Sequence, residues 1–139
     1  MVNYSALFVC KNSKSETLTI LDFIGAAVWL VGFLFEVFAD FQLSNFLKQK
    51  NRKTKFLQSG LWALSRHPNY FGESLVWFGI YLISCSVKNG YFSIFSPIFI
   101  TFLVRYVSGV PLIEKKYKND KEFQNYAKRV NIFIPGFPK

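Results

Sequence analysis

The sequence has little of what metal centres and disulfide frameworks are built from. It contains two cysteines, Cys10 and Cys85, no CxxC pair, and a single histidine, His67. A disulfide framework and a zinc site are therefore not indicated, and the single histidine argues against a multi-histidine metal centre. We expect no bound metal. A cleavable signal peptide is not indicated either, since the first apolar stretch is too long for one and ends in acidic residues.

Acidic residues are scarce: 8 Asp and Glu stand against 17 Lys and Arg, so the 139-residue chain carries a formal net charge of +9. A chain with this excess of positive charge can bind nucleic acid, anionic lipid or a phosphate-bearing ligand. Most of the cations lie in two patches beside long apolar runs, which a soluble nucleic-acid-binding protein rarely carries. We therefore expect membrane lipids and a phosphorylated cofactor as partners, and no nucleic acid.

Three long apolar runs, at residues 18–39, 69–87 and 91–107, predict an all-α polytopic membrane protein with about three transmembrane helices. About 20 helical residues, at ~1.5 Å each, span a ~30 Å hydrocarbon core. Pro68 suits the first turn of the second helix, and Pro97 predicts a kink in the third. The charged tail at 114–129 repeats apolar residues at three- and four-residue steps, which predicts a C-terminal amphipathic, interfacial helix.

Residues 1–17 are interpreted as an N-terminal lead-in, and residues 18–139 as one membrane domain. The loop at 48–66 carries six Lys and Arg, the tail carries several more, and the turn after the second run carries one. The positive-inside rule puts the loop and the tail in the cytoplasm and the N-terminus outside, which agrees with three crossings. The membrane would be the endoplasmic reticulum in a eukaryote and the inner membrane in a bacterium.

Placing an acidic side chain within or beside a membrane segment is unfavourable in free energy, so acidic residues there are candidates for a functional role. Glu36 and Asp40 are four residues apart and share a helix face. Pairing with loop lysines is the alternative for both. In the second helix, Tyr70, Glu73, Trp77, Tyr81 and Ser84 form a polar and aromatic stripe. An aromatic belt explains Tyr70 and Trp77 but not Glu73, which lies one turn inside and can act as a proton or hydrogen-bond donor.

Arg66 and His67 come directly before the second helix. Helix N-termini attract anions through free N–H groups and the helix dipole, so this pair and the lysine loop predict a phosphate site. Positive-inside anchoring is the alternative; it accounts for the loop lysines better than for Arg66-His67-Pro68-Asn69 as a unit. In the tail, solvated surface charge is the default interpretation of Glu114. Arg105 either extends to the interface or pairs with a carboxylate of another helix.

Several of these segments together carry a family resemblance. They are Gly60-Leu61-Trp62, Ser65-Arg66-His67-Pro68-Asn69-Tyr70-Phe71-Gly72-Glu73, Trp77, Gly79 and Ser108-Gly109-Val110-Pro111-Leu112-Ile113-Glu114. The set resembles the C-terminal domain of steroid 5-alpha-reductase-like membrane proteins, most closely their mostly microbial branch, and more distantly sterol reductases. The resemblance runs from about Asp22 to the C-terminus. The Arg-His-Pro core alone also resembles isoprenylcysteine carboxyl methyltransferases.

The reductase resemblance implies NADPH on the cytoplasmic side of a helical bundle and hydride transfer to a C=C bond of a lipid or sterol-like substrate. By position, it implies that Asp40 contacts the cofactor and that Arg66, His67, Asn69 and Tyr70 face its phosphate and ribose side. Glu73 matches an acid beside the nicotinamide, and we take Glu73 and Tyr70 as the catalytic candidates. Glu114 lies in the tail segment that closes over the cofactor.

Members of that family usually carry several more N-terminal helices, which build much of the lipid cavity. A separately encoded N-terminal half or a homo-oligomer is therefore an expected partner. Two other functions stay open from the sequence. One is an S-adenosylmethionine-dependent methyltransferase acting on a prenylated cysteine. The other is a non-catalytic fragment or membrane scaffold.

Overall fold

The computed structural model describes residues 5–7 and 18–139, and their regular secondary structure is helical, with no β-strand among them. This confirms the all-α prediction. The expected lead-in and Cys10 lie outside the described residues, apart from residues 5–7, which are helical. The α-helices are α1 (Ile20–Lys48), α2 (Pro68–Ser84), α3 (Phe95–Phe102), α4 (Gly109–Tyr117) and α5 (Lys121–Arg129). Short 3-10 helices occupy Gly60–Ala63 and Gly90–Ile94, and a π-helical segment occupies Leu103–Val107.

Two segments are long and apolar enough to cross a membrane, judged by length and composition alone: the 29-residue α1 and the 28-residue continuous run Gly90–Tyr117. Their apolar side chains are largely exposed, for example Phe23, Phe38 and Phe102. The middle helix α2 has 17 residues, which at ~1.5 Å each gives about 26 Å, less than a ~30 Å hydrocarbon core. The third crossing therefore stays a prediction.

The backbones of α1 and α2 touch, because small residues face each other along the contact. Gly25, Gly32 and Ala39 are buried on α1 at seven-residue steps. A Cβ atom added at Gly72 of α2 would lie 2.6 Å from the backbone nitrogen of Glu36, and one at Gly79 would lie 2.5 Å from that of Trp29. Small residues allow such close approach between membrane helices. The contact sets Glu36 and the next turn of α1 beside the start of α2.

The third apolar run changes helix type along its length instead of forming one α-helix. Asn89 has a left-handed backbone, with φ 63°, and precedes the 3-10 turn. Pro97, where we expected a kink, lies in the first turn of α3, where its missing N–H needs no helical partner. The π segment then ends at a bend at Ser108, before α4 begins. This agrees with the end of the third apolar run at residue 107 in the sequence.

The tail forms two helices, α4 and α5, so the predicted C-terminal amphipathic helix over residues 114–129 is present but is interrupted between Tyr117 and Lys121. Asp120 separates them because its side chain caps α5, accepting hydrogen bonds from the backbone nitrogens of Glu122 (2.9 Å) and Phe123 (3.3 Å). The apolar face of α5 packs Phe123 and Tyr126 into a small core, against which Phe56 of the basic loop also packs. The tail is thereby held against the loop.

Candidate functional site

The start of α2 is fixed by the C-terminal segment. The Ser65 hydroxyl donates to the carbonyl oxygen of Phe133 (2.7 Å), and the backbone nitrogen of Arg66 donates to the carbonyl oxygen of Asn131 (2.9 Å). His67 is the residue that precedes the helix, and its backbone nitrogen donates to the Ser65 hydroxyl (3.1 Å). These backbone contacts determine where the Arg66 and His67 side chains lie.

Both of those side chains contact one carboxylate. Arg66 Nη2 lies 3.1 Å from Glu114 Oε2, and His67 Nε2 lies 3.0 Å from Glu114 Oε1. Arg66 is 9% exposed and His67 2%. Among the described residues, Arg66 Nε and His67 Nδ1 are buried without a hydrogen-bond partner. The structure thus brings together three predicted site residues from positions that are 47 residues apart.

A second group of predicted residues lies on the α1 side of α2. Asn69 Nδ2 donates to Asp40 Oδ1 (3.0 Å), and Asn69 Oδ1 is buried without a partner in the described part of the chain. Asp40 and Glu73 are close enough to repel each other, and Tyr70 interacts electrostatically with both. Glu36 also faces this acidic group.

Tyr70 connects the two groups, because its ring stacks on the His67 imidazole with 5.8 Å between centroids and 14° between planes. The rest of the predicted stripe lies elsewhere. Ser84 ends α2, four turns from Tyr70. Its hydroxyl lies 2.6 Å from that of Ser93 and links α2 to the 3-10 helix at the far end of the bundle. The sequence periodicity puts the stripe residues on one face of α2, but they are spread along the whole helix and do not form a single binding site.

A cavity of about 680 Å³ lies between the end of α1, the basic loop and the tail helices. Pockets of ~300–1,000 Å³ hold small molecules and cofactors. Arg66 and His67 line it, together with cations and aromatic rings from three parts of the chain. These are Phe46, Arg52, Lys55, Phe56, Trp62, Lys116, Tyr117, Phe123 and Tyr126. Asp120 is the acidic side chain among the described lining residues.

Of the four Lys and Arg side chains that line the cavity among the described residues, two form ion pairs with a carboxylate and two do not. Lys55 Nζ lies 2.8 Å from Asp120 Oδ2, a bond that holds the pKa of Asp120 below its usual range. Arg66 is offset by Glu114. Arg52 lies over the Phe46 ring and Lys116 over the Tyr117 ring, and neither has a carboxylate at ion-pair distance within the described residues.

This donor set fits a phosphorylated nucleotide. Cations without a carboxylate partner suit phosphate oxygens, and half-buried aromatic rings in a cavity wall suit a base. The loop cations were predicted as part of a phosphate site. Lys116 was missed, because in the sequence it belongs to an ordinary charged tail.

A second, mostly apolar groove of about 620 Å³ lies between α2, the π segment and the C-terminal segment. Arg105 lines it and lies 4.8 Å from the Tyr106 ring centroid. Within the described chain, Arg105 has no carboxylate at ion-pair distance, so of its two expected roles the pairing with another helix is not formed there. The buried Thr101 hydroxyl, which also lines the groove, has no partner in that part of the chain.

Comparison with known proteins places these features in a family. The family model described as "Protein of unknown function (DUF1295)" matches residues 2–130. The chain is 32% identical over 111 residues to 3-oxo-5-alpha-steroid 4-dehydrogenase 1 of Bos taurus, covering 80% of this chain and 40% of the relative. To the Homo sapiens protein of the same name it is 30% identical over 112 residues, covering 81% and 40%.

A viral protein is also similar. The chain is 34% identical over 89 residues to a probable 7-dehydrocholesterol reductase of Acanthamoeba polyphaga mimivirus, covering 62% of this chain and 19% of that protein. The chain therefore spans about 40% of the length of the steroid dehydrogenases it matches. No solved structure matches it significantly.

Proposed function

Since the chain belongs to the steroid 5-alpha-reductase C-terminal domain family, we propose that it is the cofactor-binding part of a membrane oxidoreductase. The reaction we propose is transfer of a hydride from NADPH to a C=C bond of a lipid or sterol-like substrate. The names of its relatives, steroid dehydrogenases and a sterol reductase, support that class of reaction.

The observation that carries the proposal is the cationic, aromatic cavity between the loop and the tail. Arg52 and Lys116 would hold phosphate groups, since their charges are not offset by a carboxylate among the described residues. Arg66 would use its Nε–H for the same purpose, since that atom has no partner in the part of the chain that the structure describes. Phe56 and Tyr117 contact each other edge to face, with 4.9 Å between ring centroids, and would together form one aromatic wall against which the adenine packs.

NADPH, when bound, supplies a hydride at its nicotinamide ring. The residues beside that ring would be those of the second group. Asp40 fixes the Asn69 amide by accepting from Nδ2, which leaves Oδ1 as a buried acceptor for a ligand N–H. Reduction of a C=C bond also requires a proton at the second carbon. Glu73 and Tyr70, on one turn of α2, are our candidates to hold that proton and deliver it.

The proposed orientation follows from the charge distribution. The loop and the tail, and with them the cavity, would face the cytoplasm, and α2 would complete three crossings. The chain spans about 40% of the length of its steroid relatives. As partners we propose membrane lipids and the lipid substrate, with a separately encoded N-terminal half or a second copy of the chain contributing to the lipid-binding cavity.

Equilibrium binding to detergent-purified protein tests the proposal. We expect NADPH to bind and S-adenosylmethionine not to bind. The double variant Arg52→Ala/Lys116→Ala should weaken NADPH binding by about 2–4 kcal/mol, since each charged hydrogen bond contributes roughly 1.5–3 kcal/mol and exposed ones contribute least.

Lys128→Ala is the matched control, because Lys128 is exposed and does not line the cavity. Binding of the methyl donor with no binding of NADPH would overturn the proposal in favour of a methyltransferase. Binding of neither would favour a scaffold.

A further inference from the structure

Glu114 joins two parts of the molecule that the chain keeps far apart. It extends from α4, in the tail, to the residues that precede α2. Each of its carboxylate oxygens has its own partner: Oε2 lies 3.1 Å from Arg66 Nη2, and Oε1 lies 3.0 Å from His67 Nε2. Both partners are buried, whereas the Glu114 side chain is 22% exposed. Glu114 itself does not line the cavity that Arg66 and His67 line.

This contact determines which nitrogen of His67 carries a proton. An ionised carboxylate can only accept hydrogen bonds, so the imidazole must donate from Nε2. The ring is held in place by stacking on Tyr70, at 5.8 Å between centroids. Nδ1 is then the remaining ring nitrogen, and it is buried without a partner among the described residues. In the neutral ring, Nδ1 is an acceptor.

We infer that Glu114 is a positioning residue, which keeps His67 in the Nε2–H form so that Nδ1 accepts a hydrogen bond from a ligand hydroxyl. The inference rests on the proposed function for the identity of the ligand, since a ribose of NADPH carries hydroxyls of this class. The assignment of the proton does not depend on the ligand. We thus assign Glu114 an indirect role, acting through His67 and Arg66, instead of the direct cofactor contact expected from the resemblance.

The chain offers a direct measurement, because His67 is its single histidine. In protein labelled with 15N-histidine, one imidazole gives two nitrogen signals, and a bare nitrogen differs widely in shift from a protonated one. At pH 8 in detergent we expect a protonated Nε2 and a bare Nδ1. A proton on Nδ1, in the neutral ring or in an imidazolium, overturns the inference in the wild-type protein alone.

Variants test whether Glu114 is the cause. Glu114→Gln keeps an acceptor oxygen and should keep the Nε2–H form, whereas Glu114→Leu should give a mixture of both tautomers. NADPH affinity should fall roughly tenfold in Glu114→Leu, which corresponds to about 1.4 kcal/mol, and less in Glu114→Gln. Glu122→Gln, an acid of the same tail that does not contact His67, should leave the His67 signals unchanged.

The two proposals fail separately. If NADPH does not bind to any variant while the tautomers behave as expected, the proposed function fails and the positioning role stands. If NADPH binds but Glu114→Leu keeps a pure Nε2–H form, the positioning role is refuted. Should Glu114→Leu not fold, the wild-type and Glu114→Gln spectra still decide the tautomer.

Discussion

Replacing Arg66 with alanine separates a cofactor site from a basic membrane anchor. Arg66 is 9% exposed, contacts Glu114 at 3.1 Å and lies 5.8 Å from the Phe123 ring centroid. Its Nε–H is buried without a partner among the described residues, and the side chain lines the cavity in which we propose that a phosphate binds. A charge-assisted hydrogen bond contributes roughly 1–3 kcal/mol, so Arg66→Ala should weaken NADPH binding by about 5- to 150-fold. An anchoring role alone predicts no change.

The same substitution also affects stability, and the assay must distinguish the two effects. Glu114 would keep only His67 as a partner, and breaking a buried ion pair is destabilising. Because Glu114 is partly exposed, we expect a smaller loss, about 1–2 kcal/mol. The double variant Arg66→Ala/Glu114→Gln removes the stranded charge. It should recover part of the stability of the single variant but not its NADPH affinity.

The assay is a fluorescence titration with NADPH at low salt, with thermal unfolding measured on the same samples. Arg66→Lys is the conservative variant: it keeps the charge, loses the planar donor group, and should bind with intermediate affinity. If Arg66→Ala is folded and binds NADPH as tightly as the wild type does, Arg66 has no place in the site, and the cavity would have to bind phosphate through Arg52 and Lys116 alone.

Three further changes test the fold around the site. Gly72→Ala puts a methyl group 2.6 Å from the backbone nitrogen of Glu36, so we expect a loss of about 1–3 kcal/mol in thermal unfolding; an unchanged midpoint would contradict the close helix contact. Tyr126→Phe removes a buried hydroxyl that donates to the Trp62 carbonyl oxygen and should cost about 1 kcal/mol in denaturant unfolding; a neutral result would show that this bond is not formed. The pKa of Asp120 is lowered in the fold, so its ionised form stabilises the protein above about pH 4 and that contribution is lost as the pH falls further; Asp120→Asn should be less stable than the wild type at pH 6 and approach it at pH 3, and a constant difference would refute this.

The sequence predicted the positions of the long helices more accurately than the number of helices and the residues at which they are interrupted. Apolar runs of about 20 residues mark α1, α2 and the third run whatever their partners are. The split between α4 and α5 depends on Asp120, which is a good N-cap residue. That signal was present, but a continuous charged, periodic segment hid it. The close contact of α1 with α2 was also encoded, in the seven-residue spacing of Gly25, Gly32 and Ala39.

The site was predicted in part because its residues cluster in one segment. Arg66 and His67 directly precede α2, and Asn69, Tyr70 and Glu73 lie in its first two turns, so any fold would keep them close. Their division into two groups could not be read from the sequence, because it depends on which neighbour each side chain meets.

Tertiary packing also decides the partners of these residues. Glu114 is 47 residues from His67, and the residue spacing alone does not bring the two together. The cavity depends on the same packing, since the loop, the end of α1 and the tail each supply part of its wall.

Hydrogen–deuterium exchange measured with and without NADPH tests the location of the cofactor most directly. NADPH should slow exchange in the segments that line the cavity, at residues 52–57, 62–67 and 113–126. It should leave the far end of the bundle, at residues 84–93, unchanged. Protection confined to the far end, or no protection at saturating NADPH in folded protein, would contradict a cofactor site at the start of α2.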